Sequence, residues 1–178
     1  EIPADMLERF RMRAAELDRH NSYFHQDLQD LRQIGYLAAV VPAELGGWGL
    51  TLAEFAASQR RLAAYAPATA LAMTMHSYWV GIAVELDRAG DPSLRWILSA
   101  AVAGDVFAAG HAETGNDIPV LMSTCQAERV EGGYRLTGRK QFGSNGPAWR
   151  WLGAHAIDVD APGGPQIVHA FVERDSAG

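Results

Sequence analysis

The sequence predicts an α+β fold in which helices come first and an antiparallel, barrel-like set of strands follows. Two observations lead to this prediction. Over residues 1–105, apolar side chains recur at steps of three and four, which is the spacing of one helix face. Over residues 106–178, short apolar runs alternate with glycine-rich turns, which is typical of strands. We therefore expect an all-helical N-terminal domain at 1–105 and an incomplete β-domain at 106–178.

Two helices are predicted in the first 35 residues. Their apolar face is formed by Leu7, Phe10, Ala14, Leu17, Phe24, Leu28 and Leu31. The polar run His20-Asn21-Ser22 is expected to separate the two helices, with Asn21 or Ser22 capping the second. Gly35 predicts the end of the second helix, because glycine readily adopts the left-handed conformation that terminates a helix.

A loop and a third helix follow. Residues 41–50 include three glycines within four positions, which predicts a loop. Thr51 and Glu54 have the spacing of a capping box and indicate that a helix begins there. This helix is expected to end near Tyr65, because Pro67 disfavours helical geometry at the residue before it.

The next segment predicts a central helix. Residues 68–86 are apolar on nearly every side, as expected of a helix that is surrounded by other elements. Gly90, Asp91 and Pro92 then predict a stop, a cap and a first-turn proline for a further short helix.

The strands are predicted after residue 105. A short apolar run covers residues 106–109, and four longer strands are expected at 123–130, 134–142, 149–159 and 166–172. The first two of the four are joined through Glu131-Gly132-Gly133, and a proline- and glycine-rich turn at 161–165 separates the last two.

Composition excludes several classes of function. The net charge of −6 argues against binding to nucleic acid and to an anionic membrane surface, since both need an excess of Lys and Arg. Cys125 is the single cysteine and the histidines lack partners at ligand spacing, so neither a disulfide framework nor a metal site is expected. No leader and no apolar run of spanning length is visible, which predicts a cytoplasmic protein. Both ends, Glu1 and Gly178, look cut, as expected of part of a longer subunit.

Generic catalytic motifs are absent from the sequence. Gly47-Trp48-Gly49 lacks the third glycine and the βαβ context of a dinucleotide fingerprint, and there is no phosphate loop or nucleophile elbow. The residues by themselves therefore predict a globular α+β protein without assigned chemistry.

Four segments resemble motifs of the acyl-CoA dehydrogenase superfamily. Pro42 to Gly49 is similar to the pattern Pro-x-x-x-Gly-Gly-x-Gly, and Pro67 to Ala72 is similar to Pro-Ser-Thr-Ala-Leu-Ala. Leu98 to Asp105 is similar to Leu-Pro-x-Leu-x-x-Gly-Glu. Gly133 to Asn145 is similar to Gly-Tyr-x-Leu-Asn-Gly-x-Lys-x-Trp-x-Thr/Ser-Asn. They occur in the family's order and spacing, which is more specific than any single motif. The resemblance implies the N-terminal helical domain and the start of the middle β-domain of a flavoprotein, without the C-terminal helical bundle.

The resemblance implies a flavin site at Ala112, Phe142, Gly143 and Ser144, with FAD as the cofactor and FMN as the alternative. Ser144 takes the place of the hydroxyl that hydrogen-bonds the flavin near N5, the atom that accepts hydride. Phe142 replaces the tryptophan that packs against the flavin ring, and keeps an aromatic face without the indole donor. Ala112 lacks the hydroxyl of the family's Thr/Ser-Glu-Pro segment, so only its backbone amide could serve.

Substrate contacts are implied at His76, His111 and Asn116. His76 lies on the helix that borders the family's acyl pocket, although a core histidine is the more ordinary interpretation. His111 precedes the second flavin loop and is likewise more ordinary as a structural residue. Asn116 replaces a serine that often contacts acyl-CoA, in a loop two residues shorter than the family's. The shorter loop argues against the usual mode of CoA binding.

Three functions stay open. The first hypothesis is an FAD-dependent acyl-CoA dehydrogenase, in which a base removes the α proton while the β hydride passes to flavin N5. No catalytic residue is expected in this segment, because the family's glutamate base lies in the C-terminal domain, and the segment alone is expected to be inactive. The alternatives are a monooxygenase that uses reduced flavin and a catalytically silent binding relative. Expected partners are an acyl-CoA or other small substrate, an electron-accepting flavoprotein or a flavin reductase, and further copies of the chain in a tetramer.

Overall fold

The computed structural model describes residues 1–115 and 121–176. The helices are α1 (Ala4–Arg19), α2 (His25–Gln33), α3 (Leu52–Ala63), α4 (Pro67–Arg88) and α5 (Arg95–Val102), with short 3-10 turns at Tyr36–Ala38 and Ala43–Leu45. The strands are β1 (Phe107–Gly110), β2 (Gln126–Val130), β3 (Gly133–Thr137), β4 (Trp151–Asp158) and β5 (Gln166–Glu173). Among the described helices, none combines the length and apolar character that a membrane span requires.

Local signals in the sequence place most helix boundaries. The capping box at α3 is confirmed, because the Thr51 side chain accepts from the Glu54 amide while the Glu54 carboxylate accepts from the Thr51 amide. Gly35 follows the last residues of α2 with φ 75°, as predicted for a helix terminator. Pro67 is the first residue of α4, where a missing amide costs nothing.

Two predicted caps are wrong. Neither Asn21 nor Ser22 caps α2, which begins at His25 after Phe24 without a side-chain cap. Asn21 instead adopts φ 49° and Ser22 donates its amide to Leu17 O at 2.9 Å, so both residues close the end of α1. Asp91 accepts from the Ser93 amide at 2.9 Å and therefore stabilises a turn before α5 instead of capping that helix.

The strands form one mixed sheet in which β4 is central. The α+β class is confirmed, but the strands are not all antiparallel as predicted: β4 pairs in parallel with β1 and β2, whereas β2–β3 and β4–β5 are antiparallel. Strands β1 and β4 are not consecutive in the chain, because the β2–β3 hairpin lies between them. After this hairpin the chain enters β4 running in the same direction as β1, so the two strands pair in parallel.

Strand β3 is shorter than predicted and ends at Thr137 instead of residue 142. The next residue is Gly138, where any side chain would overlap the buried Cys125. The backbone passes against Cys125 at this point and leaves the sheet, so residues 138–149 are free to form loops that bear candidate site residues.

Helix α4 joins the helical part to the sheet. Ten of its residues are buried, including Trp79, whose Nε1 donates to Ala108 O in β1 at 3.1 Å. The Trp79 ring also packs edge-on against Phe171 in β5, with ring centroids 4.7 Å apart. The helical part and the sheet therefore share a core. The boundary predicted at residue 105 falls in the connection between α5 and β1. That this boundary separates two domains stays a prediction.

Candidate functional site

The structure brings the four predicted flavin residues to one surface. Ala112 lies two residues after the end of β1, and its backbone carbonyl accepts a hydrogen bond from the Gln141 backbone amide at 2.8 Å. Gln141 immediately precedes Phe142, Gly143 and Ser144. Two segments that are far apart in sequence are thereby held side by side.

The turn at 142–144 is unusual for its exposure and backbone geometry. Phe142 is 72% exposed and has φ 53°, a left-handed conformation that costs a bulky residue energy. The Ser144 amide donates to Phe142 O at 2.7 Å, and space around Gly143 is open. The turn thus presents an aromatic ring next to a hydroxyl-bearing residue, which suits a flat ring with a polar edge.

A buried ion pair lies behind this surface. Glu113, next to Ala112 and 3% exposed, accepts hydrogen bonds from Lys140, Ser123 and Thr124. Burial alone would raise the pKa of the Glu113 carboxyl, but these donors outweigh it and hold the pKa below its ordinary value. Glu113 is therefore a buried, ionised carboxylate whose charge is balanced by Lys140, and the pair ties the Ala112 segment to the Phe142 turn.

Sequence reasoning missed the role of this pair. The quoted motifs contain both residues, since Glu113 matches the glutamate of Thr/Ser-Glu-Pro and Lys140 the lysine of Gly-x-Lys-x-Trp. The motifs alone could not show that two positions 27 residues apart are partners. The role of Asn145 was missed in the same way, although Asn145 is the last residue of the motif that runs from Gly133 to Asn145.

A row of histidines crosses three neighbouring strands beside α4. His155 in β4 is paired with His169 in β5, and His111 follows β1 at the adjoining level, with ring centroids 5.1–5.9 Å apart. Tyr78 of α4 contacts His111 edge-on at 5.6 Å. Within the described residues, no cluster of His, Cys, Asp or Glu side chains has an arrangement suited to a metal ion.

His111, a predicted substrate contact, is partly buried and precedes Ala112, one of the predicted flavin residues. Its Nε2 is buried and has no hydrogen-bond partner among the described residues. Burial, together with His155, His169 and Lys140 nearby, lowers the pKa of His111 to about 4. A neutral imidazole has one nitrogen that donates and one that accepts, so His111 could offer either to a substrate, and this role stays a prediction.

His76, the other histidine predicted to contact substrate, lies in the core. It is fully buried, its Nε2 donates to Leu37 O at 2.8 Å, and its Nδ1 accepts from the Phe107 amide at 3.1 Å. Neither ring nitrogen is left for a substrate in this arrangement, which fits the core interpretation. Asn116, the third predicted contact, lies outside the described residues.

Acid is expected to weaken the fold through His76 and His111. The pKa of each is about 4, chiefly through burial, against 6.5 for a free imidazole. The unfolded chain therefore binds more protons between pH 6.5 and 4, so stability falls as pH falls through that window, by up to about 1.4 kcal/mol per pH unit for each histidine. Urea denaturation from pH 7 to 5 measures the slope, and His111→Phe is expected to reduce it. An unchanged slope in this variant would contradict the depressed pKa of His111.

The helical part of the chain establishes the family. Residues 5–104 match the family model described as acyl-CoA dehydrogenase, N-terminal domain, which covers more than half of the 178 residues. The chain belongs to the acyl-CoA dehydrogenase family. The resemblance read from the motifs is confirmed.

Relatives in this family have several named activities. L-evernosamine nitrososynthase of Micromonospora sp. is 29% identical over 184 residues, covering 100% of this chain and 42% of that protein. Mitochondrial isovaleryl-CoA dehydrogenase of Solanum tuberosum is 26% identical over 162 residues (89% and 39%). Dibenzothiophene monooxygenase of Rhodococcus erythropolis is 27% identical over 179 residues (99% and 42%). The chain spans about two fifths of the length of these relatives.

A solved structure gives the same architecture. The X-ray structure of KijD3 in complex with FMN and dTDP-3-amino-2,3,6-trideoxy-4-keto-3-methyl-D-glucose superposes with a TM-score of 0.83 at 30% identity. The superposition covers 98% of this chain and 43% of KijD3. The fold of acyl-CoA dehydrogenase-like flavoproteins therefore extends through the β-strands of this chain, beyond the segment matched by the family model.

Proposed function

We propose that the protein is a flavin-dependent oxidoreductase of the monooxygenase type, which receives reduced flavin from a separate reductase and oxygenates a small organic molecule. The observation that carries the flavin is the surface formed by Ala112 and the Phe142–Ser144 turn. KijD3, which is 30% identical over nearly the whole chain, was solved with FMN. FMN is thus the first flavin to test, and FAD, expected from the motifs, is the second.

The residues of this surface fit a flavin. Phe142 offers an exposed aromatic face for the ring, and Ser144 carries a hydroxyl next to it. The buried Glu113–Lys140 pair keeps the Ala112 segment against the turn. The groups that would contact the flavin ring and those that would contact its polar edge are thereby held at a fixed separation. A bound reduced flavin would supply the two electrons with which oxygen is activated. The chain's own residues bind and orient the flavin.

Departures from the dehydrogenase motifs favour the monooxygenase. Ala112 lacks the expected hydroxyl, Phe142 lacks the indole nitrogen, and the loop of residues 112–117 is two residues short of the pattern. Two relatives aligned over 99–100% of this chain are named a nitrososynthase and a monooxygenase. The acyl-CoA dehydrogenase expected first from the sequence is the second candidate, supported by the family model and by the isovaleryl-CoA dehydrogenase.

An anaerobic flavin titration of the full-length protein separates the two candidates. The monooxygenase is expected to bind reduced FMN or FAD at least 10-fold more tightly than the oxidised form, and acyl-CoA thioesters should leave the oxidised flavin spectrum unchanged. Bleaching of bound oxidised flavin by an acyl-CoA would establish the dehydrogenase instead. Failure to bind either flavin would leave the silent relative. The flavin reductase and the tetramer stay predictions, which pull-down and sedimentation can test.

Ser144→Ala is expected to weaken flavin binding by about 5- to 10-fold, because it removes one hydrogen bond of roughly 1 kcal/mol without changing the turn. Fluorescence titration with FMN and FAD measures the change. Ser99→Ala, an exposed serine on α5, is the matched control and should bind flavin like the unmodified protein. Equal affinities of the Ser144 and Ser99 variants would contradict the predicted contact.

A further inference from the structure

The residue after Ser144 is the one buried polar residue of the loop that carries the candidate flavin contacts. Asn145 is 2% exposed, whereas Phe142 three residues earlier is 72% exposed. Asn145 also has φ 67°, the left-handed conformation that asparagine tolerates better than most residues. The chain thus turns sharply from an exposed aromatic to a buried amide within four residues.

The Asn145 side chain is hydrogen-bonded to three separate elements. Its Nδ2 donates to Ala72 O in α4 at 2.9 Å and to Phe107 O in β1 at 3.2 Å. Its Oδ1 accepts from the Tyr23 hydroxyl, just before α2, at 3.0 Å. Burial raises the pKa of Tyr23 to about 12, so this hydroxyl stays protonated and can donate. One amide therefore fixes the loop to both α4 and the sheet.

Only asparagine meets all the demands of this position. Two donors and one acceptor are required within one short side chain, which aspartate, serine and alanine cannot provide. Its backbone carbonyl also accepts from the Ala148 and Trp149 amides at 2.8 and 2.9 Å, which closes the turn that follows. Glycine would keep the backbone conformation and lose every side-chain bond, so Asn145→Gly isolates the contribution of the amide.

We propose that Asn145 is a positioning residue for the flavin, acting through Ser144: its three hydrogen bonds fix where the Ser144 hydroxyl and the Phe142 ring stand relative to α4 and the sheet. This inference rests on the proposed function. Asn145 is buried, and its side-chain oxygen and nitrogen are both engaged by protein groups, so its effect on the flavin would be indirect. Because Asn145 is adjacent to Ser144 in the chain, movement of the Asn145 backbone would also displace the Ser144 hydroxyl.

The test uses the full-length protein and compares flavin affinity in Asn145→Gly, Ser144→Ala and the double variant. Asn145→Gly is expected to weaken FMN or FAD binding by about 10-fold, since three buried hydrogen bonds are lost. The double variant is expected to bind about as weakly as the weaker single variant, because removing the hydroxyl leaves little for Asn145 to position. The circular dichroism of the bound flavin should change alike in both single variants.

Two further variants separate positioning from general loss of stability. Tyr23→Phe deletes only the donor to Asn145 Oδ1 and is expected to weaken flavin binding about 2- to 3-fold in a protein that stays folded. Thr51→Ala removes the cap of α3, far from the loop in sequence, and should destabilise the fold while leaving flavin affinity unchanged.

Independent, multiplicative losses in the double variant would overturn the inference, as would full flavin affinity in Asn145→Gly or equal weakening by Thr51→Ala. Unmodified protein that binds neither flavin in either redox state would overturn the proposed function, and the inference with it. The two failures are distinguishable, because the first occurs in a protein that binds flavin normally.

Discussion

Lys140→Met is expected to destabilise the protein by about 3–5 kcal/mol, because it leaves the buried Glu113 carboxylate without a balancing charge. Glu113 is 3% exposed and the Lys140 side chain 17% exposed, so water cannot replace the missing ammonium without local opening. Ser123 and Thr124 would still donate to the carboxylate, but hydroxyls and an amide do not neutralise its charge. Urea denaturation at pH 7 measures the loss.

Two controls show whether charge is the cause. Adding Glu113→Gln to Lys140→Met should recover much of the loss, because the buried charge is removed together with its partner. Arg135→Met breaks an ion pair with Glu128 whose side chains are 66% and 64% exposed, and should cost less than about 1 kcal/mol. Equal losses for the Lys140 and Arg135 variants would refute a buried ion pair.

The pH dependence gives the same prediction an independent check. The folded pKa of Glu113 is lowered from 4.5, so its contribution to stability is present above that pH and is lost as the pH falls below it. Lys140→Met raises this folded pKa, since the carboxylate loses its strongest partner. The variant should therefore lose less stability than the unmodified protein on acidification below pH 4.5, and a parallel curve would count against the assignment.

The helical part could be predicted from sequence because its signals are local. The capping box needs only Thr51 and Glu54, and the end of α2 needs only the left-handed Gly35. Helix α4 was predicted as central from its all-round apolar composition, and its length differs by a few residues at its C-terminal end. The wrong caps at Asn21 and Ser22 show the limit of local rules, since the same residue types end one helix as readily as they begin another.

The sheet could not be predicted in the same detail, because its pairing depends on distant segments. Alternating apolar residues indicate a strand but not the direction of its partner, so the parallel β1–β4 pairing was missed. Just after the end of β3, Gly138 lies against Cys125, thirteen residues earlier in the chain, where no side chain would fit. A steric contact of this kind leaves no periodic signal in the sequence.

The motifs identify single positions of the candidate site, whose roles stay predictions, and they do not show which positions are paired. The motifs pointed to Ala112 and the Phe142–Ser144 turn, and the structure places them on one surface. They gave no indication that Glu113 pairs with Lys140, or that Asn145 reaches back to Tyr23, 122 residues earlier. These partners support the surface from behind, and only the folded chain reveals them.

Gly153→Ala is expected to cost about 3 kcal/mol of stability, because a methyl group there would overlap the indole ring of Trp79. The ring cannot easily move aside: Trp79 is 4% exposed, its Nε1 donates to Ala108 O, and it packs edge-to-face with Phe171. Glycine within β4 is ordinarily unfavourable, and its presence here leaves room for the Trp79 ring of α4 against the sheet.

A second glycine on α4 makes the matched comparison. Gly81 has no atom within 4 Å of where its side chain would be, so Gly81→Ala should stabilise the helix by about 0.5–1 kcal/mol. The same chemical change is thus expected to have opposite effects on stability at Gly153, which faces Trp79, and at Gly81, which has open space. Trp79→Phe, which removes part of the indole, should reduce the penalty of Gly153→Ala. The stability lost by the double variant should therefore be smaller than the sum of the losses of the two single variants. Additive losses, or equal effects at both glycines, would contradict a steric contact between Trp79 and Gly153.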